Sequence, residues 1–162
     1  MRYEDFLQIA KYGNENWKGC FTEEKVKQNA KDYYDEFIES NKQGKPTSVM
    51  QSLCELLIDD IEGGSDDAHD FLMDILASSE WWVNIFRCGH CNKREIVFFT
   101  MDELEKLKRH ANREILITDA IPDKPSWIRE FYISGILLCN DCWKKYWNGE
   151  LNGKGVKLKW KV

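Results

Sequence analysis

The chain lacks any apolar run long enough to cross a bilayer. Stretches such as Trp81-Trp82-Val83, Val97-Phe98-Phe99 and Ile136-Leu137-Leu138 fall far below the ~20 residues a membrane helix requires, so no membrane partner is expected. A basic leader is lacking too: Glu4 and Asp5 stand near the start, where a signal peptide needs a positive stretch followed by an apolar one, and a cytoplasmic location is expected. The sequence offers no Ser/His/Asp or Cys/His nucleophile set, no phosphate-binding glycine loop and no dinucleotide fingerprint. These absences predict that the protein is not an enzyme and takes no small-molecule substrate. Internal repeats and low-complexity tracts are missing as well. Finally, no Lys or Arg occurs between Lys45 and Arg87, a gap that contains Glu55, Asp59, Asp60, Glu62, Asp66, Asp67, Asp70, Asp74 and Glu80.

What is present makes a folded chain. At 162 residues, 43% hydrophobic and 13% aromatic, it can form one domain or two very small ones with a packed core. The net charge of −5 is uneven. Residues 1–80 hold eight Lys/Arg against eighteen Asp/Glu, a charge of −10, whereas residues 81–162 hold fifteen against ten, a charge of +5. An acidic field repels nucleic acid and attracts basic protein surfaces.

The acidic part, 1–80, reads as four amphipathic helices. Phe6, Leu7 and Ala10 have helical spacing before a break at Gly13-Asn14. Thr22 can cap a second helix with Val26, Ala30, Tyr33, Tyr34, Phe37 and Ile38 on its apolar stripe. Thr47 or Ser48 can cap a third, stopped by Gly63-Gly64, and Ser65 begins a fourth. Short connections between them predict an antiparallel helical bundle. From Trp81 onward the residues favour strands: Trp81 to Phe86, Arg94 to Phe99, Ile115 to Thr118, a long bent strand over Trp127 to Leu138 with Gly135 at a bulge, and an alternating edge strand in the tail, 156–162. Thr100 and Glu103 form a capping-box pattern that opens one short helix between them. The expected fold is therefore α+β, an acidic helical region at 1–80 followed by a β-rich region at 81–162.

Four of the six cysteines form two Cys-x-x-Cys pairs, Cys88/Cys91 and Cys139/Cys142. Two residues between thiolates let the backbone fold into a knuckle, so each pair supplies two corners of a tetrahedron around one structural zinc. A pair of disulfides conflicts with a cytoplasmic location, a thioredoxin-type motif needs one pair near a βαβ unit, and an iron–sulfur cluster would use the same four ligands. His90, inside the first pair, could replace a cysteine but is expected on the exposed loop. Cys20 and Cys54 have no close Cys or His partner and are read as packed thiols. His69 with Asp66, Asp67 and Asp70 does not follow a calcium-loop spacing and is read as a solvated helix start.

Two knuckles, the second opening a helix at Leu138-Cys139-Asn140-Asp141-Cys142, resemble the treble-clef zinc fold of GATA-type and related fingers. The resemblance covers about residues 86–148, and 47 residues separate the pairs, 92–138. HNH endonucleases share such a knuckle, but they carry a His after the second pair, where this chain has Trp143, and an Asn shortly before it, where this chain has Tyr132 to Gly135. His110 and Asn112 lie between the pairs on an expected helix rather than a hairpin, so an HNH reading would be of a degenerate nuclease.

Two functional expectations follow. In the first, a zinc-stabilised regulator or inhibitor docks on a basic protein partner through Asp59, Asp60, Asp66, Asp67 and Asp70. Small acidic, aromatic-rich chains of this kind resemble accessory proteins of bacteriophages, including inhibitors of host defence nucleases, which implies carboxylates standing in for phosphates. In the second, the basic half binds nucleic acid through Arg87, Lys93, Arg94, Lys144, Lys145, Lys157 and Lys159, with tryptophans stacking on bases.

Overall fold

A computed structural model describes residues 1–17 and 19–151. The chain is broadly α+β and mostly helical, and it divides into two compact units, Met1–Trp82 and Val83–Val162. Among the described residues no helix is long and apolar enough to cross a membrane.

The first unit holds α1 (Tyr3–Asn16), α2 (Glu23–Gln43), α3 (Ser48–Glu62) and α4 (Asp66–Ala77). Their starts are set by local chemistry. The hydroxyls of Thr22, Thr47 and Ser65 accept hydrogen bonds from the backbone N–H of Lys25, Met50 and Ala68, each satisfying a donor that the first helical turn would otherwise leave bare. Gly44, at φ +64°, closes α2 in the left-handed conformation. Helix α1 packs on α2, α2 on α3 and α3 on α4. Ala10 and Ala30 let α1 and α2 approach closely, and Phe6 meets Phe37 with ring centroids 5.3 Å apart. Fully burying each such large apolar side chain contributes about 1.5–3 kcal/mol, and Phe6, Ile9, Met50, Leu53, Leu57, Ile58 and Ile75 are all buried.

The expected break at Gly13 does not occur. Helix α1 continues to Asn16, and the missing side chain at Gly13 makes room for the Trp17 indole, which would lie 2.4 Å from a Cβ there. That indole donates from Nε1 to Asp60 Oδ2 at 2.6 Å, and the Tyr12 hydroxyl reaches the same oxygen at 2.9 Å and Ser65 Oγ at 2.8 Å. Asp60 thus ties the end of α1 to the end of α3 and the cap of α4.

Strand β1 (Trp81–Arg87) begins at the last two residues of the first unit and runs into the second, where it forms a two-stranded antiparallel sheet with β2 (Arg94–Thr100), followed by four helices: α5 (Met101–Ala111), α6 (Ile117–Ala120), α7 (Ser126–Ser134) and α8 (Asn140–Trp147). The capping box forms as expected, with Thr100 Oγ1 accepting from Glu103 N–H and the Glu103 carboxylate accepting from Thr100 N–H. The same carboxylate pairs with Lys124 Nζ at 2.7 Å, which fastens the start of α5 to the turn before α7. Phe86, Phe99, Leu107, Ile117, Ile121, Trp127, Ile128, Leu138 and Trp143 form the core.

The β-rich expectation for 81–162 is corrected here. Residues 127–134 are helix, not strand: Trp127, Ile128, Phe131 and Tyr132 fall at i, i+1, i+4 and i+5, so one helical face carries all four into the core. Burial overrides their strand propensity. Gly135, at φ +72°, is the left-handed cap of α7 rather than a bulge. The expected strand at Ile115 to Thr118 is replaced by the short α6, and Ile136 to Leu138 forms no strand. The tail strand expected at 156–162 lies outside the described residues.

Candidate metal centre

The first cysteine pair sits in the turn joining β1 to β2. Cys88 N–H donates to the Lys93 carbonyl at 2.9 Å and Asn92 N–H to the Cys88 carbonyl at 2.9 Å, which folds Cys88-Gly89-His90-Cys91 into a tight knuckle. Asn92 takes φ +59°, a left-handed turn that Asn tolerates better than most side chains. The second pair opens α8. Cys139 is its N-cap residue, its carbonyl receiving Trp143 N–H at 2.8 Å, and Cys142 lies in the first turn. One backbone bond links the two, Gly89 N–H to the Leu137 carbonyl at 2.8 Å. The nonlocal pairing of a knuckle with the segment entering a helix brings together pairs that are 47 residues apart.

The four Sγ atoms all lie within 4.8 Å of one another, and Cys91 and Cys139 are 3.7 Å apart. A tetrahedron with Zn–S arms of about 2.3 Å has edges of about 3.8 Å, so the cluster is consistent with a four-cysteine zinc site. A disulfide would need about 2.05 Å, and all six cysteines are free thiols. Cys88, Cys139 and Cys142 are buried and Cys91 is exposed.

The electrostatics suit a bound cation. Burial works against the Cys88 thiolate, yet hydrogen bonds from the backbone of Cys91, Cys139 and His90 outweigh it and bring that thiol down to about 7. Burial pushes the thiols of Cys139 and Cys142 up by desolvating the charged form, and the neighbouring sulfurs add to the rise. A divalent metal reverses that penalty by favouring the deprotonated ligand. The N-terminus of α8 points partial positive charge at the same sulfurs. Lys93, which pairs with Glu95 at 3.0 Å and approaches Asp141 at 3.9 Å, adds a cation beside the knuckle.

Among the described residues these cysteines alone are brought to common ligand distance. His90 is exposed on the knuckle and stays outside the cluster. His69 is exposed, 3.4 Å from Asp70, and forms no ligand group with Asp66 and Asp67. His110 Nδ1 contacts the Ile115 carbonyl at 3.1 Å, and Asn112 ends α5, so both serve the end of that helix. Trp143, standing where an HNH enzyme has a His, is buried and stacks on Tyr146 at 5.8 Å.

Of the acidic residues singled out from sequence, Asp59, Asp66, Asp67 and Asp70 are exposed, while Asp60 is half-buried and engaged by Tyr12 and Trp17. Arg87, Lys93, Lys144 and Lys145 are exposed and Arg94 is half-buried. Lys157 and Lys159 lie outside the described residues. The Asp60 network and the Leu137 carbonyl went unread in the sequence: nothing local distinguishes Asp60 from Asp59, and a carbonyl carries no residue code.

The chain matches no protein-family model, no curated protein and no solved structure.

The cysteines give a direct test. Cys20, expected from sequence to be packed, is instead exposed, so in metal-loaded protein it alone is expected to react rapidly with a disulfide reagent, four more thiols after chelation, and the last only on denaturation. That last thiol is Cys54, which is fully buried and pushed up to about 12 by its burial. Rapid reaction of five thiols in zinc-loaded protein would contradict the cluster as a metal centre.

Proposed function

We propose that this is a non-catalytic, zinc-stabilised binding protein that regulates or inhibits a partner by docking its acidic helical unit on a basic surface. The observation that carries the reading is the closed set of four sulfurs. Zinc held by Cys88, Cys91, Cys139 and Cys142 has all four tetrahedral positions filled by protein, leaving none for water or substrate. Its role is to hold the second unit together. A knuckle followed by a helix whose first turn bears the second pair supports a treble-clef relationship, with α5, α6 and α7 inserted between the pairs. Short connections between α1, α2, α3 and α4 support an antiparallel bundle.

The working surface in this reading is the outer face of α3 and α4. Asp59, Asp66, Asp67 and Asp70 are exposed there, in a stretch without Lys or Arg. Carboxylates so placed can occupy a cleft that otherwise receives phosphates, the mode of a bacteriophage inhibitor of a host defence nuclease acting in the cytoplasm. Asp60 is left out of this surface because it holds the fold.

Reversing Asp59, Asp66, Asp67 and Asp70 to Lys is expected to weaken partner capture at least tenfold, mainly by slowing association, with zinc content and helicity unchanged. Capture by the wild type should also fall as salt is raised. Equal capture of the same basic partner by both proteins would remove this reading.

A further inference from the structure

Trp147 is the anomaly of the second unit. It is 68% exposed, although it belongs to a cluster of rings that could have hidden it. Trp143 is buried and stacks on Tyr146 with centroids 5.8 Å apart, and Trp147 stands edge-on to both, 5.5 Å from Trp143 and 6.2 Å from Tyr146. The two inner rings hold the outer one in place and leave one side of it to solvent. Helix α8 is itself anchored at its start by Cys139 and Cys142, so the indole is presented from a fixed support.

A lysine stands on the same side of the helix as this ring. Lys144, which is exposed, lies three residues before Trp147, on the neighbouring position of the same helical side. Lys93, beside the knuckle, is already engaged by Glu95 and Asp141, whereas Lys144 is the α8 cation on the side of the ring. In sequence, residues 143–162 carry six Lys against the single acid Glu150.

We infer that α8 forms a stacking platform for single-stranded nucleic acid, with a base on the open side of Trp147 and the adjoining phosphate on Lys144. The occupant follows from the chemistry. An exposed indole with a lysine on the neighbouring helical position matches a flat base followed by a phosphate, and bases are free to stack only when they are unpaired. The inference does not rest on the acidic-face reading, because it uses a different unit and no protein partner.

The test uses the zinc-loaded full chain and a fluorescently labelled thymidine oligonucleotide of about fifteen nucleotides at low salt. Wild type is expected to bind it more tightly than the corresponding duplex, with quenching of tryptophan emission and an affinity that falls as salt rises. Trp147→Ala should weaken binding roughly five- to a hundredfold at unchanged zinc content, and Trp147→Phe should restore much of the loss. Lys144→Ala should lower the salt slope by about one. Binding unaffected by Trp147→Ala would overturn the inference, as would equal affinity for poly-glutamate, which would mark the lysines as a surface for any polyanion. Absence of oligonucleotide binding would also overturn it while leaving the acidic-face reading standing.

Discussion

Serine at Cys88 or Cys139 is expected to abolish metal binding and to unfold the second unit. Structural zinc contributes roughly 10–16 kcal/mol in small zinc-dependent folds at neutral pH, whereas a whole domain is stable by about 5–15 kcal/mol. Without the metal, three buried thiols face one another, and α8 is left held against the knuckle by the Gly89–Leu137 bond, the exposed Lys93–Asp141 pair and the surrounding core. Elemental analysis should give one zinc per wild-type chain and much less in either variant. Near-UV circular dichroism should lose the signal of Trp127 and Trp143, both buried in the core cluster that includes the cysteines. Cys20→Ser should change neither measurement. Retention of a cooperative, wild-type thermal transition in metal-free protein would show that the core alone holds this unit, and the zinc assignment would lose its structural meaning.

Alanine at Asp60 is expected to destabilise the first unit by about 2–4 kcal/mol, because two donors would lose a charged acceptor. Tyr12 could still reach Ser65, but the Trp17 indole N–H would lose its partner. Asp60→Asn, which keeps one oxygen acceptor, should cost less. Gly13→Ala probes the same joint from its other side: a methyl there would meet the Trp17 ring at 2.4 Å and displace the donor, at a cost of about 1–3 kcal/mol. Urea denaturation followed by helical signal measures both. A loss under 0.5 kcal/mol for Asp60→Ala would return Asp60 to the acidic surface with Asp59.

The contrast between these two residues shows where sequence reading works. Thr22, Thr47, Ser65 and Thr100 could be recognised as caps because a cap is satisfied within three residues of itself. The cysteine pairs were legible for a similar reason, since two-residue spacing fixes knuckle geometry locally, and the structure brings the pairs together. Asp60 is engaged by Tyr12 and Trp17, more than forty positions away in sequence. The region 127–138 failed differently. Its aromatic and branched residues satisfy a strand by type and a helix by spacing, and the spacing prevailed because the facing core accepts Trp127, Ile128, Phe131 and Tyr132 together. Gly135 was recognised as special, but its positive φ serves a helix end.

The insertion between the cysteine pairs also sets how metal is held. Residues 92–138 are not a slack loop: they contain β2, α5, α6 and α7, and their core residues Phe99, Leu107 and Ile128 lie in the same cluster as the cysteines. Only a chain with that segment folded has both knuckles in register. The affinity a chelator competes against is therefore the intrinsic affinity of four sulfurs multiplied by the fraction of chains in which the insertion is formed. Heat, denaturant or a cavity at Ile128 would draw zinc out of a site whose ligands are all intact, and the protein would give up its metal in step with the packing of helices that never touch it.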